Sequence, residues 1–171
     1  MKVRRSAATL VLSTLLLAAP SVALGAGSDA RATGGGSFLF AGSIPMQFGF
    51  SAVRHADGSV SGSFHHAYEF GDFSYQFWGS VTCVTFDAAE GRAWVGGVLT
   101  RLITADPEPG VAVGDDAWFR VLDSPDGDRS TAMGFPGEIP TSAAYCEGQP
   151  WPDDNARTHP VTQGQISVAA P

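Results

Sequence analysis

Turn-forming residues interrupt this chain so often that strands are the only regular elements with room to repeat. From Ser37 onward, short segments rich in Phe, Val, Tyr and Trp are broken every 8 to 14 residues by clusters of Gly, Asp and Pro. Dipeptides such as Asp57-Gly58 and Asp126-Gly127 supply residues that adopt positive φ, as tight hairpin turns require. No stretch after residue 23 holds apolar residues at helical spacing for three turns. The sequence therefore predicts an all-β protein.

Eight strands are predicted, and their alternation gives each an apolar face. They cover 37–42, 46–54, 59–70, 73–86, 92–104, 111–122, 129–135 and 161–169. Over 59–70, Phe64, His66 and Tyr68 share the face that we assign to the core. Antiparallel strands joined by short turns favour a single β-barrel, which leaves no free strand edge. A two-sheet β-sandwich is the alternative.

Two regions depart from this simple pattern. Strands 73–86 and 92–104 are apolar on both faces, so either a bulge near Gly79 switches their parity or another segment covers their outer face. The stretch 136–160 holds five prolines and little periodicity. It predicts a long loop that closes or lines one end of the barrel.

The amino-terminal segment predicts export. Three of its first five residues are basic, an apolar run follows over 7–19, and small residues extend to Ala26. This order is typical of a secretory signal peptide over 1–23, with cleavage as late as residue 26 as the alternative. The run is shorter than the roughly 20 residues that a membrane-spanning helix needs. We expect a secreted or periplasmic protein with no membrane span after cleavage.

The composition behind the signal peptide limits the partners of this protein. Residues 24–36 are mostly Gly, Ala, Ser and Thr and predict a flexible lead-in to a barrel domain over 37–171. Removal of the first 23 residues leaves 148 residues that contain seven Arg, no Lys and 17 acidic residues, for a formal charge of about −10. Such a surface repels nucleic-acid phosphates and anionic membranes. We therefore expect no nucleic-acid partner.

The two cysteines, Cys83 and Cys146, predict one disulfide in an oxidising compartment. This bond ties the loop over 136–160 to the strand over 73–86. No histidine adjoins either cysteine, so the pair does not predict a metal site.

Several glycine-rich motifs carry a resemblance to a known group. Thr33-Gly34-Gly35-Gly36, Phe48-Gly49-Phe50, the run over 57–62, Gly79-Ser80-Val81-Thr82-Cys83-Val84 and Gly96-Gly97-Val98 occur in order along the chain. The chain resembles a group of small secreted bacterial β-barrel proteins with no established activity. The resemblance implies an antiparallel barrel and brings no catalytic residues with it.

One motif suggests catalysis at first sight. Gly58-Ser59-Val60-Ser61-Gly62 fits the GxSxG pattern of hydrolase nucleophiles, which needs a strand before it and a helix after it. Here a turn precedes the motif and a strand follows, so we interpret Ser61 as an outer-face strand residue. The downstream His159 has no spacing that links it to Ser61. We predict no catalytic residue.

Neither the adjacent histidines nor the acidic turns predict a metal site. His65 and His66 are neighbours on a strand, so their side chains point to opposite faces. Asp123, Asp126 and Asp128 form an oxygen-rich group but lack the spacing and the closing Glu of an EF-hand. We interpret them as turn residues, and we expect no metal and no cofactor.

A set of aromatic residues forms the candidate ligand site. It consists of Phe48, Phe50, Phe64, His66 and Tyr68 in the predicted barrel interior, together with Trp151 in the long loop. His66 is either a buried histidine hydrogen-bonded to a neighbouring strand or a polar anchor for a ligand. Trp151 lies between two prolines, so it either plugs one barrel end or presents its ring to a ligand or partner.

Three functions remain open at this point. The favoured one is an exported, non-catalytic barrel protein that binds a small apolar or amphipathic ligand. A cofactor-independent isomerase or cyclase is the first alternative and rests on fold analogy. A structural or adhesive cell-envelope protein is the second, with the doubly apolar strands covered by a partner or by another copy of the chain.

Overall fold

The computed structural model describes residues 28–152 and 157–171, so the predicted signal peptide lies outside the described residues. Nine antiparallel strands form one sheet, and one short helix lies on it. The elements are β1 (Ala30–Phe40), β2 (Ile44–Arg54), β3 (Val60–Phe70), β4 (Phe73–Asp87), β5 (Arg92–Thr104), β6 (Asp116–Leu122), β7 (Arg129–Ser130), α1 (Ser142–Gly148), β8 (His159–Pro160) and β9 (Gln163–Ala169). The sheet order is β8-β7-β6-β5-β4-β3-β2-β1-β9. The all-β prediction is confirmed.

The two ends of the sheet meet at one short stretch of chain. β8 pairs with β7 at one end and β9 pairs with β1 at the other. Between them, Val161 N donates to the carbonyl oxygen of Asp128 at 2.8 Å, and Thr162 N donates to that of Ser37 at 2.8 Å. Consecutive residues thus bond to opposite ends of the sheet and curl it into an antiparallel barrel. The sheet has nine strands instead of the predicted eight because the short β8 precedes β9.

Two carboxylates extend this closure along β9. Asp128 Oδ2 accepts a hydrogen bond from Ile166 N at 2.6 Å, and Asp123 Oδ2 accepts one from Val168 N at 3.0 Å. Both acids belong to the connection between β6 and β7. Their side chains therefore take the place of a neighbouring strand for part of β9. We call these two contacts the carboxylate seam.

The predicted flexible lead-in over 24–36 is wrong from Ala30 onward. The three glycines at 34–36 lie inside β1, which pairs with both β2 and β9. A Cβ atom added to Gly34 would lie 2.7 Å from the carbonyl oxygen of Gln165, and one on Gly36 would overlap that of Gln163. These glycines allow the backbones to approach closely, which composition alone does not reveal.

The register between β4 and β5 explains why these strands are apolar on both faces. It shifts between Trp78 and Gly79 and again between Val81 and Cys83. Val81 faces the core before the second shift and Val84 faces it afterwards, so the predicted parity switch is present.

The outer face of the same strands is also covered, by a helix that the sequence did not predict. α1 begins after Thr141, whose hydroxyl accepts a hydrogen bond from Ala144 N at 3.1 Å. It lies within the stretch 136–160, predicted as an irregular loop, and is too short to show a periodic pattern. The predicted Cys83–Cys146 disulfide joins it to β4, with the Cα atoms 6.2 Å apart.

Aromatic rings fill the barrel interior. Phe119 lies at their centre, with its ring centroid 5.3 Å from that of Phe50 and 5.9 Å from that of Phe64. All three are buried, and each buried ring contributes about 2 to 3 kcal/mol of hydrophobic stabilisation. Within the described ranges, no helix combines the length and apolar character needed to cross a membrane.

Candidate functional site

An apolar pocket opens at one end of the barrel, where β1 turns into β2, β3 turns into β4, and a longer loop joins β5 to β6. Its volume is about 330 Å³. The lining residues are Phe40, Ile44, Met46, Tyr68, Phe70, Tyr75, Pro109, Ala132, Met133 and Phe135. Half of them carry an aromatic ring. We call this cavity the end pocket.

The rim of the end pocket is unusually apolar for a protein surface. The large hydrophobic side chains that are exposed in the described chain all occur at this end: Leu39, Phe40, Phe70, Ile103 and Val113. Phe70 is 61% exposed and Val113 is 60% exposed. Grouped apolar exposure of this kind is typical of a binding surface.

One carboxylate lies beside the aromatic lining. The Tyr75 hydroxyl donates a hydrogen bond to Asp106 Oδ2, and Asp106 Oδ1 accepts a second one from Glu108 N at 2.9 Å. The hydrogen bond to Asp106 raises the pKa of Tyr75 to about 12 and lowers the pKa of Asp106. Tyr75 therefore stays protonated at neutral pH, and Asp106 stays negatively charged.

Four segments at this end of the barrel, 39–46, 68–75, 103–116 and 131–135, contain no Lys, Arg or His. The ring of His159 lies beside them, edge-on to the pocket residue Phe40 with the centroids 5.3 Å apart, and burial lowers its pKa. The charged residues of the four segments are Glu69, Asp72, Asp106, Glu108, Asp115 and Asp116. A ligand approaching the end pocket therefore meets a negative field around an apolar opening.

The structure brings most of the predicted ligand residues together, but most of them lie in the hydrophobic core and do not line a cavity. Phe48, Phe50 and Phe64 are buried, and their rings pack on one another or on Phe119. Of the predicted set, Tyr68 lines the end pocket, where its ring stacks on that of Tyr75 at 5.1 Å. The cavity thus lies above the predicted interior set and takes its other walls from the ends of β1, β2, β3 and β4 and from the loop residues at 109, 132, 133 and 135.

His66 lies in the core below Tyr68 and is completely buried. Its ring centroid is 4.9 Å from that of Phe119 and 6.0 Å from that of Phe48. Within the described chain neither ring nitrogen has a hydrogen-bond partner, so the predicted bond to a neighbouring strand is wrong. Burial, with a smaller contribution from His65, lowers the pKa of His66 to about 3. The side chain is neutral at physiological pH.

Trp151 lies far from the interior set. It is half-buried on the outer face of the sheet and packs against the cluster formed by Trp94, Trp118 and Tyr145. Arg157 lies over its ring, with the guanidinium carbon 4.2 Å from the ring centroid. The prediction that Trp151 plugs a barrel end is therefore wrong.

At the opposite end of the barrel, the structure gives Ser61 partners that the sequence analysis missed. Ser61 Oγ lies 2.9 Å from His55 Nε2, and His55 Nδ1 lies 3.1 Å from Asp29 Oδ2. Asp29 falls in the segment predicted to be a flexible lead-in, and His55 lies in a turn. The sequence feature that could have indicated this contact is His55, which lies at the start of the hairpin that carries Ser61.

Two acids of the turn between β6 and β7 have structural partners. Asp123 and Asp128 accept hydrogen bonds from β9 in the carboxylate seam. Among the described residues, no group of three or more His, Cys, Asp or Glu side chains is placed to hold a metal ion.

The fold and the end pocket define a disulfide-linked, all-β barrel protein with an aromatic-lined opening. Comparison with protein families, with curated proteins and with solved structures finds no match for this chain.

Proposed function

We propose that this is an exported barrel protein that binds a small amphipathic ligand in the end pocket, with no chemical step at that pocket. The observation that supports this most directly is the apolar cavity of about 330 Å³, open to solvent and surrounded by exposed hydrophobic side chains. Ligand pockets typically measure about 300 to 1,000 Å³ and are lined mainly by apolar and aromatic groups with a few polar ones. Tyr68 and Tyr75 supply hydroxyl groups among the aromatic walls.

The charge around the pocket favours a ligand with a positive group. Aromatic faces attract cations, and quaternary ammonium groups are commonly bound between several such rings. The end pocket offers five rings, with the Asp106 carboxylate beside one of them. The four segments around the pocket add only acidic residues, and burial lowers the pKa of the adjacent His159. An alkylammonium compound fits this chemistry, whereas a fatty-acid carboxylate is repelled.

Binding of three probes that share one alkyl chain tests both parts of this proposal. Octyltrimethylammonium, 1-octanol and octanoate are titrated into the oxidised protein by calorimetry at moderate salt. We expect the cation to bind about tenfold more tightly than octanoate, with octanol between them. If none of the three binds, the ligand-binding function is wrong. If all three bind equally, the binding function stands and the preference for cations is wrong.

Matched variants locate the site. Ala132→Trp fills the pocket and should abolish binding of all probes, whereas Asp106→Asn should reduce the preference for the cation and leave octanol binding unchanged. Asp126→Asn makes the same charge change at the opposite end of the barrel and serves as the control. If Asp126→Asn weakens cation binding as much as Asp106→Asn does, the overall charge of the protein explains the preference and the local site is excluded.

The export part of the proposal rests on the pattern over 1–26 and agrees with the disulfide, which is typical of oxidising compartments. Amino-terminal sequencing of the protein recovered from an exporting bacterial host tests it. A mature terminus between residues 24 and 27 is expected, and a retained Met1 contradicts it.

A further inference from the structure

Ser61, His55 and Asp29 lie in one hydrogen-bonded chain at the end of the barrel opposite the end pocket. Three elements bring them together: Asp29 directly precedes β1, His55 directly follows β2, and Ser61 is the second residue of β3. These strand ends are adjacent because Ala30 pairs with Arg54, and Arg54 pairs with Val60. The arrangement is independent of the proposed ligand pocket.

The backbone around His55 is held firmly by its turn. His55 N donates to the Ser59 carbonyl oxygen at 2.8 Å, and the His55 carbonyl oxygen accepts from Gly58 N at 2.9 Å. Asp57 Oδ1 accepts from both Ser59 N at 2.8 Å and Ser59 Oγ at 2.6 Å. The imidazole therefore projects from a well-defined hairpin.

Hydrogen-bonding capacity fixes the direction of the bond between His55 and Asp29 and, for a neutral imidazole, that of the bond between His55 and Ser61. Asp29 is a carboxylate, since its hydrogen bonds with His55 and with the Ala56 amide lower its pKa. A carboxylate only accepts, so His55 Nδ1 must carry the donated proton. In the neutral imidazole the other nitrogen, Nε2, then holds a lone pair and accepts from the Ser61 hydroxyl. This is the tautomer that a general base for serine requires.

The Asp29 carboxylate is also held in place by hydrogen bonds. Asp29 Oδ1 accepts a hydrogen bond from Ala56 N at 3.1 Å, while Oδ2 accepts from His55. The carboxylate is thus attached to the same turn that carries the imidazole. It acts as a positioning residue for His55, in the role that the acidic member plays in Ser-His-Asp triads.

The two glycines of the GxSxG pattern have structural roles that are separate from this chain. Gly58 adopts a φ of 85° in the turn, and a Cβ atom on Gly62 would overlap the carbonyl oxygen of Ser51. The motif is therefore not the strained elbow of an α/β-hydrolase. What gives Ser61 its chemistry is His55, six residues earlier on the facing end of the hairpin.

We infer that Ser61 is a nucleophile for acyl transfer from small esters, activated by His55 and positioned through Asp29. The Ser61 oxygen attacks the ester carbonyl carbon and its proton passes to His55 Nε2. The C–O bond to the alcohol then breaks, and the departing oxygen takes that proton. Water attacks the acyl-serine by the same route and releases the carboxylic acid. The net reaction is hydrolysis of an ester by one water molecule.

The Ser61–His55–Asp29 group lies open to solvent, and this limits the class of substrate that it can use. The side chains of His55 and Asp29 are 38% and 42% exposed, and Ser61 is exposed. Small or unhindered acyl groups reach the hydroxyl directly from solvent. Because water surrounds the site, stabilisation of the oxyanion is weak, and slow turnover of activated esters is expected.

Acetylation by p-nitrophenyl acetate tests the inference, with the modified residues located by peptide mass spectrometry. Ser63 is the internal control, because it is exposed on the same strand face two residues further along. We expect Ser61 to acetylate at least about tenfold faster than Ser63. Equal labelling of the two serines overturns the inference.

Variants separate activation from folding. His55→Ala should reduce labelling of Ser61 to the level of Ser63, and added imidazole should restore it, with an unchanged thermal midpoint. Asp29→Asn should slow labelling and remove the Nδ1-protonated tautomer from the nitrogen NMR spectrum of His55. Labelling of Ser61 that is independent of His55 overturns the proposed role of the chain.

Discussion

The ring of His66 packs on Phe119 in the barrel core, with the centroids 4.9 Å apart and no hydrogen bond to either imidazole nitrogen within the described chain. Tyr68, two residues further along the same strand face, reaches the end pocket. One strand face therefore carries both a sealed polar side chain and a solvent-accessible one. The difference between them is set by depth in the barrel.

We expect His66→Phe to stabilise the protein in mild acid. Burial lowers the folded-state pKa of His66 to about 3 from the ordinary value of 6.5. As the pH falls below 6.5 the unfolded chain binds the proton first, so the free energy of unfolding decreases by up to about 1.4 kcal/mol per pH unit until the folded pKa is reached. Above pH 6.5 the contribution of His66 to the free energy of unfolding is constant.

Urea unfolding near pH 7 and near pH 5 checks this expectation. Between those values the wild type should lose about 2 kcal/mol more than His66→Phe. His65 titrates in both proteins, so the comparison isolates the residue in the core. An equal loss in the two proteins would mean that His66 is protonated in the folded state.

Loss of the disulfide should affect the outer face of the sheet more than the barrel. Cys83 and Cys146 are separated by 63 positions, so the chain-entropy model gives a loss of about 4 kcal/mol in the free energy of unfolding for Cys83→Ser/Cys146→Ser. α1 carries Tyr145, which stacks on Trp118 at 5.6 Å. We expect a change in tryptophan fluorescence while probe binding at the end pocket persists, and loss of both together would contradict this separation.

The carboxylate seam should be sensitive to a single substitution. Asp128→Ala removes the acceptor for Ile166 N and leaves the amide of a buried residue unpaired. We expect a loss of about 2 kcal/mol in the free energy of unfolding and faster hydrogen exchange along β9. Asp126→Ala in the same turn is the control and should change neither. Unchanged exchange in Asp128→Ala would show that β1 alone holds β9.

Local patterns predicted much of the fold. The period-two alternation of Phe64, His66 and Tyr68 placed all three on the inward face of β3, and Asp57-Gly58 marked the turn before it. Both signals arise within a few residues, because strand pleat and turn conformation are local properties. The disulfide was also predictable, since the chain has only two cysteines.

The candidate sites were harder to predict because their parts come from distant segments. The end pocket combines Phe40, Tyr75 and Phe135, which lie on different elements, and no spacing rule connects them. The hydrogen-bonded group at Ser61 includes Asp29, which lies close to His55 only because β1 pairs with β2. Contacts that depend on the pairing of distant segments produce no periodic pattern of residues in the sequence.

The glycines of β1 and β2 show the same dependence on tertiary structure, and they allow a matched test. A methyl group on Gly36 would overlap the carbonyl oxygen of Gln163, whereas a methyl group on Gly49 meets no atom within 4 Å. Both glycines lie within paired strands, so their intrinsic strand preferences are alike. Gly36→Ala should therefore lower the free energy of unfolding by about 1 to 3 kcal/mol, because β9 must move away from β1. Gly49→Ala should change it by less than about 0.5 kcal/mol. Thermal and urea unfolding of the two variants measure the difference, and equal stability would show that β9 is not packed against β1 in solution.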